Sequence, residues 1–230
     1  MVRAALFSLL ALAAAPVQAC RLALVLALDV SSSVDAAEDL LQRNGLAVAL
    51  LSPEVEAAFF ASADPVALQI FEWSGRGHQT DLLGWTLIET PDDLRLAVDA
   101  LTRTIRSANG LPTAMGHALG YAALQLQKAP TCLFQTIDMA GDGTNNESFG
   151  PRNVYATFPF DGVVVNGLVI AGSDPAVQDY FESQVIRGPT AFVEVAEGFE
   201  DFENAMRRKL VRELSAQVIG RMATDGKVQG

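Results

Sequence analysis

The fold is decided by the stretch Leu22-Ala-Leu-Val-Leu-Ala-Leu-Asp-Val-Ser-Ser-Ser33. Its apolar residues run without interruption into Asp29, and hydroxyl side chains follow at Ser31 and Ser33. A continuous apolar run that ends in a polar turn is typical of a strand buried on both faces of a parallel sheet. Ligands of open α/β sheets bind at the carboxyl ends of the strands. Carboxylate and hydroxyl oxygens are also the ligands that a hard cation such as Mg²⁺ prefers.

Predicted helices and strands alternate along the rest of the chain. The predicted helices cover 33–51, 54–61, 91–106, 113–127, 174–183 and 198–214, and the predicted strands cover 22–29, 66–73, 80–88, 132–140, 162–170 and 191–196. A short Gly-rich turn joins the second and third strands, which is typical of an antiparallel hairpin. The pattern therefore predicts an α/β fold with a doubly wound, mostly parallel sheet that has helices on both faces.

The chain begins with the pattern of a secretory signal. One charged residue, Arg3, precedes an apolar stretch and a small-residue end at Ala19. We predict that residues 1–19 are a signal peptide, that 20–222 form one domain, and that 223–230 are a frayed tail. No later segment is apolar for long enough to cross a bilayer, so no transmembrane segment is predicted.

The charge of the chain excludes one class of partner. The formal net charge is −11, and an acidic protein repels phosphate backbones, so we predict no nucleic-acid binding. Four cations gather late in the sequence, at Arg207, Arg208, Lys209 and Arg212. We interpret them as the solvated face of a terminal helix, whose C-terminal end favours cations.

The chain has two cysteines, Cys20 and Cys132. An exported protein reaches an oxidising compartment, where a disulfide is the default state of two cysteines. A lipid anchor on Cys20 is the alternative, because Val-Gln-Ala-Cys resembles a bacterial lipobox, in which Gln18 is an unusual residue. The composition does not decide between the two.

Three loops carry the motifs that indicate a function: Asp29-Val-Ser-Ser-Ser33, Gly110-Leu-Pro-Thr113 and Gly141-Asp-Gly143. In this order they resemble the metal-ion-dependent adhesion site (MIDAS) of von Willebrand factor type A domains. In that family an Asp-x-Ser-x-Ser turn, a Thr and an Asp from separate loops coordinate one Mg²⁺. The runs Asn-Gly-Leu-Pro-Thr and Gly-Asp-Gly-Thr-Asn-Asn further resemble a subgroup of exported bacterial members (DUF1194-like).

The resemblance implies a six-stranded sheet of order 3-2-1-4-5-6 with one antiparallel edge strand. It implies Mg²⁺ as the cofactor, with Mn²⁺ as an alternative ion, and a protein partner whose acidic side chain completes the coordination. The implied metal ligands are Asp29, Ser31, Ser33, Thr113 and Asp142. Two carboxylates balance a divalent charge, and near-octahedral Mg²⁺ coordination leaves about one position for water or the partner.

The implied sheet order also bears on the cysteines. It makes the strands ending at Asp29 and Asp142 parallel neighbours, so that Cys20 and Cys132 come nearly level at the opposite edge of the sheet. Adjacent strands are close enough for a disulfide. We therefore favour a Cys20–Cys132 bridge, and keep the lipid anchor as the alternative.

Three further residues are candidates to hold the metal ligands in position without binding the metal themselves. Asp138 precedes Asp142 on the same predicted strand. Three alternatives stay open for it: it supports the metal ligands, it forms an ion pair with Arg43, or it is a structural carboxylate. Asn145 and Asn146 follow the Asp142 loop, although Asn after Asp-Gly is common in plain turns.

The sequence favours a binding protein over an enzyme. Ser31, His117 and Asp142 are residue types of a catalytic triad, but the chain has no Gly-x-Ser-x-Gly elbow. Two histidines without a Cys/His cluster argue against catalytic zinc, and we interpret His117 as packed or hydrogen-bonded. We predict a non-catalytic, Mg²⁺-dependent protein-binding domain that is periplasmic or secreted. A lipid-anchored envelope scaffold and a metal-dependent hydrolase are the alternatives.

Overall fold

A computed structural model of the chain describes residues 20–172 and 175–225. The predicted signal peptide, 1–19, and the last part of the predicted tail, 226–230, lie outside the described residues. The elements, in chain order, are β1 (Cys20–Asp29), α1 (Ala36–Leu50), α2 (Pro53–Phe59), β2 (Val66–Trp73), β3 (Gln79–Ile88), α3 (Pro91–Thr102), α4 (Met115–Leu126), β4 (Cys132–Gly141), α5 (Pro151–Thr157), β5 (Val163–Ile170), α6 (Ala176–Tyr180), β6 (Val193–Ala196) and α7 (Phe202–Asp225). A π-helical turn, Phe181–Val185, follows α6, and a 3₁₀ turn, Phe199–Asp201, precedes α7.

The strands form one sheet in the order β3-β2-β1-β4-β5-β6. The β2–β3 pair is antiparallel, and the other neighbouring strands are parallel. The predicted doubly wound α/β fold, its strand order and its antiparallel edge are therefore confirmed. Among the described residues, none of the helices has the length and apolar character needed to span a bilayer.

Strand β1 is the centre of the sheet because it contributes side chains to both apolar cores. Every residue of β1 is buried. Leu22, Leu24 and their even-numbered neighbours pack with α1, α2, α3 and α7, whereas Ala23 and Val25 pack with α4, α5 and the π-helical turn. An uninterrupted apolar run suits this position, since a strand covered by helices on both faces has no polar side to present to water.

Cys20 and Cys132 are register partners at the starts of β1 and β4, and their sulfur atoms form a disulfide. The predicted pairing is confirmed. The bridge ties the two central strands together at the amino edge of the sheet, at the end opposite Asp29.

Helix α1 begins later than predicted. Its N-cap is Asp35, whose carboxylate accepts hydrogen bonds from the N–H groups of Ala37 and Glu38, while the Glu38 carboxylate accepts from the N–H of Asp35. This reciprocal capping box satisfies the first free N–H groups of the helix. The hydroxyl of Ser33, the first residue of the predicted helix, is therefore available for other contacts.

Other boundaries also differ from the prediction. Helix α3 ends at Thr102, which leaves Arg106 in a loop. Helix α5, which starts with Pro151 at its first turn, occupies a segment predicted as loop. Helix α7 continues beyond its predicted end at Leu214 as far as Asp225.

Candidate metal centre

The three predicted loops meet at the carboxyl edge of the sheet. Asp29 is the last residue of β1, Asp142 directly follows β4, and Thr113 lies in the loop before α4. Strands β1 and β4 are neighbours, and the chain leaves them toward opposite sides of the sheet. A crevice for ligands opens at such a switch point.

A chain of hydroxyl groups connects the predicted ligands. The Thr113 hydroxyl donates to Ser31 Oγ at 3.1 Å, and the Oγ atoms of Ser31 and Ser33 lie 3.2 Å apart. The Ser33 hydroxyl donates to Asp142 Oδ1 at 2.7 Å, and Asp29 Oδ1 accepts from the N–H of Ser31 at 2.8 Å. The structure thus brings all five residues into one contiguous cluster, which opens to solvent through Ser33 and Asp142.

Asp29 is a buried carboxylate without a salt bridge to any described cationic side chain. It is fully buried, and its Oδ2 atom has no hydrogen-bond partner among the described residues. Burial and, second, the nearby Asp142 carboxylate together raise the pKa of Asp29 to about 7, although hydrogen bonds from Ser31 and the charge of Arg106 lower it. Among the described Lys, Arg and His residues, none forms a salt bridge with Asp29 or Asp142.

The position next to Asp29 is kept open by a glycine. A Cβ atom on Gly141 would lie 3.0 Å from Asp29 Oδ2. Any larger residue would therefore crowd the carboxylate oxygen that lacks a partner. The absence of a side chain at this position leaves room beside that oxygen.

These residues fit a hard divalent cation. A bound cation reverses the local pKa shift of Asp29, because it stabilises the ionised carboxylate. The described residues contain no group of three or more His, Cys, Asp and Glu side chains that could hold a metal. The hydroxyls of Ser31, Ser33 and Thr113 would therefore have to complete the coordination, and an all-oxygen set suits Mg²⁺ or Mn²⁺ better than a softer ion.

Asn145 and Asn146 contact the loop that carries Thr113. The N–H of Thr113 donates to Asn146 Oδ1 at 2.8 Å, and the Asn146 amide donates to Thr113 Oγ1 at 3.4 Å. The N–H of Gly116 donates to Asn145 Oδ1 at 3.2 Å. Both asparagines thus fix the start of α4 and the Thr113 hydroxyl relative to the Asp142 loop.

Arg106 holds the Asp29–Asp35 loop, and sequence reasoning missed it. Its guanidinium donates hydrogen bonds to the carbonyl oxygens of Val30, Ser31, Val34, Asp35 and Ala108. A contact with backbone carbonyls leaves no motif in the sequence. The one available signal was the position of Arg106 just before the Asn109–Thr113 loop.

Asp138 belongs to a different cluster, and its proposed pairing with Arg43 is wrong. Lys209 Nζ lies 2.9 Å from Asp138 Oδ1 and 2.5 Å from Glu213 Oε1, with all three side chains buried between the sheet and α7. The Arg43 guanidinium pairs instead with Asp39, at 3.0 Å, and with Glu72. The interpretation of Lys209 as a solvated cation is also wrong. Its side chain is buried against the sheet, where it pairs with Asp138 and Glu213.

His117 is hydrogen-bonded and packed, as predicted. Its Nε2 atom lies 3.1 Å from Ser148 Oγ, and its ring stacks on Phe149 with 4.4 Å between centroids. The Ser31 hydroxyl contacts Ser33 and Thr113 rather than His117. The geometry therefore does not assemble the triad that the residue types allow.

A protein family described as "Protein of unknown function (DUF1194)" matches residues 19–218. The chain belongs to this family. No curated protein sequence matches this DUF1194 chain.

Solved structures with the same fold are distant in sequence. Proximal thread matrix protein 1 (PTMP1) from the mussel byssus is 14% identical with a TM-score of 0.62, over 86% of the DUF1194 chain and 48% of its own. A von Willebrand factor type A structure from Catenulispora acidiphila is 16% identical with a TM-score of 0.59, over 85% and 43%. The PilB minor pilin from Streptococcus sanguinis is 11% identical with a TM-score of 0.58, over 88% and 62%.

Another PTMP1 structure has a zinc-occupied MIDAS motif, and is 13% identical with a TM-score of 0.57, over 86% of this chain and 48% of its own. The DUF1194 chain spans about half the length of the mussel protein structures. At these identities the likeness shows the fold alone, which is that of a von Willebrand factor type A domain.

Proposed function

We propose that this domain binds one divalent cation, Mg²⁺ or Mn²⁺, and through it holds an acidic side chain of a protein partner. The observation that carries the proposal is the buried, unpartnered Oδ2 atom of Asp29, beside a second carboxylate and a connected set of hydroxyls. Leaving this charge without a cation costs free energy, and a bound cation removes that cost.

The ligand residues have distinct roles in this proposal. Ser31, Ser33 and Thr113 bind the cation through neutral hydroxyl oxygens. Asp29 and Asp142 supply the negative charge, directly or through water, and orient the hydroxyls, because a hydroxyl that donates to a carboxylate turns its lone pairs toward the cation. When bound, the cation acts as a Lewis acid that attracts an anionic oxygen of the partner.

The solved structures support both parts of the proposal. One structure of the mussel matrix protein has a zinc-occupied MIDAS motif, which favours a divalent cation at the corresponding loops. The structural neighbours include a matrix protein and a minor pilin, which favours protein binding over catalysis. The contacts of Ser31 agree with this choice, because its hydroxyl has hydroxyl neighbours and no histidine partner among the described residues.

The deciding experiment is calorimetric titration of the mature protein with Mg²⁺ and Mn²⁺. We expect saturable binding of one ion, and loss of binding in Asp29→Ala and Asp142→Ala with the fold retained by circular dichroism. Ser32→Ala is the matched control, since Ser32 lies in the same loop with its side chain exposed. The proposal is overturned if the folded wild type binds no ion, or if the Asp variants retain the affinity.

We also propose that the domain is exported to an oxidising compartment. The Cys20–Cys132 disulfide supports this. A thioether-linked lipid on Cys20 would use the same sulfur atom and leave Cys132 as a free thiol. Peptide mapping of the exported protein without reductant should therefore recover the two cysteines linked, whereas an acylated Cys20 peptide would support the lipid-anchored alternative.

A further inference from the structure

A cleft of about 360 Å³ opens beside the proposed metal site. Ser33 and Asp142 form one of its walls, so that the cleft and the metal site are continuous. Ile170 and Phe199, both buried, contribute apolar surface. A partner segment bound at the proposed metal site would therefore lie directly beside this cleft.

Two further carboxylates line the cleft, those of Glu38 and Glu200. Glu38 is held in place by the capping box, where its Oε2 accepts from the N–H of Asp35 at 2.7 Å. Glu200 is exposed. Neither carboxylate forms a salt bridge with a Lys, Arg or His among the described residues.

The cleft thus keeps negative charge after the metal has bound. A divalent cation offsets the charges of Asp29 and Asp142 and leaves those of Glu38 and Glu200. A partner that offers only an acidic side chain would be repelled by this wall, on a chain that is already strongly acidic. A partner with a positive group next to its acidic group would be attracted at both places.

We propose that the recognised segment of the partner carries a Lys or Arg within a few residues of the acidic residue that reaches the metal. Glu38 and Glu200 bind this basic side chain and determine the specificity of the site. The inference rests on the proposed function, because the metal is what makes the acidic residue of the partner favourable.

The test compares short peptides with the metal-loaded protein at low ionic strength. One set has the form Gly-Asp-Glyₙ-Arg-Gly, with about zero to three intervening glycines so that the Arg lies one to four residues after the Asp, and the other replaces the Arg by Gly. We expect the best Arg peptide to bind about 3-fold to 10-fold more tightly than its Gly counterpart, the range that two partly exposed charge pairs supply. Added salt should reduce this ratio.

The double variant Glu38→Gln/Glu200→Gln should bring the ratio close to one and leave the metal affinity unchanged. Gln at residue 38 still closes the capping box, so the fold is kept. The matched control is Glu54→Gln/Glu89→Gln, which makes the same change in net charge at two exposed acids near the amino edge of the sheet. The control should keep the wild-type ratio.

The outcomes separate this inference from the proposed function. Absence of metal binding in the calorimeter contradicts the proposed function. Metal binding with equal affinity for the two peptide sets overturns the inference alone. Metal binding with no peptide bound overturns the inference and also contradicts the part of the proposed function in which the metal holds an acidic side chain. It is also overturned if a second cation binds to the wild type and is lost in the Glu38→Gln/Glu200→Gln variant, because the two acids would then serve a metal.

Discussion

Asp29 and Asp138 are both buried carboxylates of the central strands, and each has a second acid close by. Burial raises the pKa of both, in Asp138 against the opposing effect of Lys209. The acid next to Asp138 is Glu213, and Lys209 lies between the two. The acid next to Asp29 is Asp142, and no described cation forms a salt bridge with either.

The comparison shows which of the two clusters is complete within the chain. Both retain carboxylate oxygens without a hydrogen-bond partner, so that feature alone does not distinguish them. The cluster under α7 contains its own cation, is closed off from solvent and fixes the helix to the sheet. The cluster at the carboxyl edge has no salt bridge to a described cation and is open to solvent, which supports the proposal that it binds one.

The largest expected effect is on the closed cluster. Lys209→Met should lower the free energy of unfolding by about 3–5 kcal/mol, because two buried carboxylates lose the cation that lies between them. Urea denaturation near pH 7.5 measures this loss, and Lys209→Met/Asp138→Asn should recover part of it. Arg207→Met, a less buried cation of the same helix, is the control. A loss below about 1 kcal/mol in Lys209→Met would show that the cluster does not stabilise the fold.

The next effect tests whether the open cluster is held by Arg106. Arg106→Lys should weaken Mg²⁺ binding roughly 10-fold to 100-fold, the range for residues that position metal ligands, because an ammonium group cannot bridge the carbonyls that the guanidinium fork reaches. Calorimetry measures the affinity. Arg103→Lys, at an exposed ion pair with Asp99, should leave it unchanged. Equal affinities in the two variants would rule out the positioning role.

Stability should depend on pH through both clusters, but Mg²⁺ should change only the part that comes from Asp29. The folded pKa of Asp29, about 7, lies above its unfolded value of about 4. The folded state therefore binds more protons, and the metal-free protein should lose stability as the pH rises from about 4 to 7. Mg²⁺ at pH 8 should restore stability in the wild type.

Asp29→Asn separates this contribution from that of Asp138, which acts in the same direction. The variant should flatten the metal-free pH profile by at least about 1.4 kcal/mol, the equivalent of one pKa unit, and should not respond to Mg²⁺. Thermal unfolding in a chelator across this pH range provides the measurement. If the pH profile of stability were the same in Asp29→Asn as in the wild type, the pKa of Asp29 would not be raised in the metal-free state.

The smallest effect concerns Asp138 as a neighbour of the metal site. Asp138→Asn should change the Mg²⁺ affinity by less than about twofold, because sites that share no partners behave independently. The calorimetric Mg²⁺ titration used for Asp29→Ala and Asp142→Ala also measures the affinity of this variant. A tenfold or larger loss of Mg²⁺ affinity in Asp138→Asn would show that the two clusters are coupled. Asp138 would then have the supporting role that the sequence left open.

The fold was accessible from the sequence because its signals are local. The apolar run before Asp29, the Gly-rich hairpin turn and the strand–helix alternation each lie within a short segment, and the family resemblance supplied the strand order. The residues that the structure brings together around Asp29 were accessible for the same reason. They are carried by three short motifs in fixed order, although metal binding by them is still a prediction.

What the sequence did not reveal depends on contacts between distant segments. The cations from Arg207 to Arg212 predict an exposed face, and only the position of α7 against β4 shows that Lys209 has a buried partner. Arg106 bonds to carbonyl oxygens, which every residue has, so no residue type in the Asp29–Asp35 loop indicates it. The capping role of Asp35 was missed because Ser33, two residues earlier, is an equally good cap by type.

The Cys20–Cys132 bridge has a mechanical consequence for a domain that holds a partner. The bridge joins the starts of β1 and β4, and the proposed binding site lies at their far ends. A pull between the backbone at Cys20 and a bound partner therefore runs along the strands and loads their hydrogen bonds in shear. The bridge shares the load between the two strands, because force that enters through Asp142 and β4 passes from Cys132 to Cys20 without extending residues 21–131.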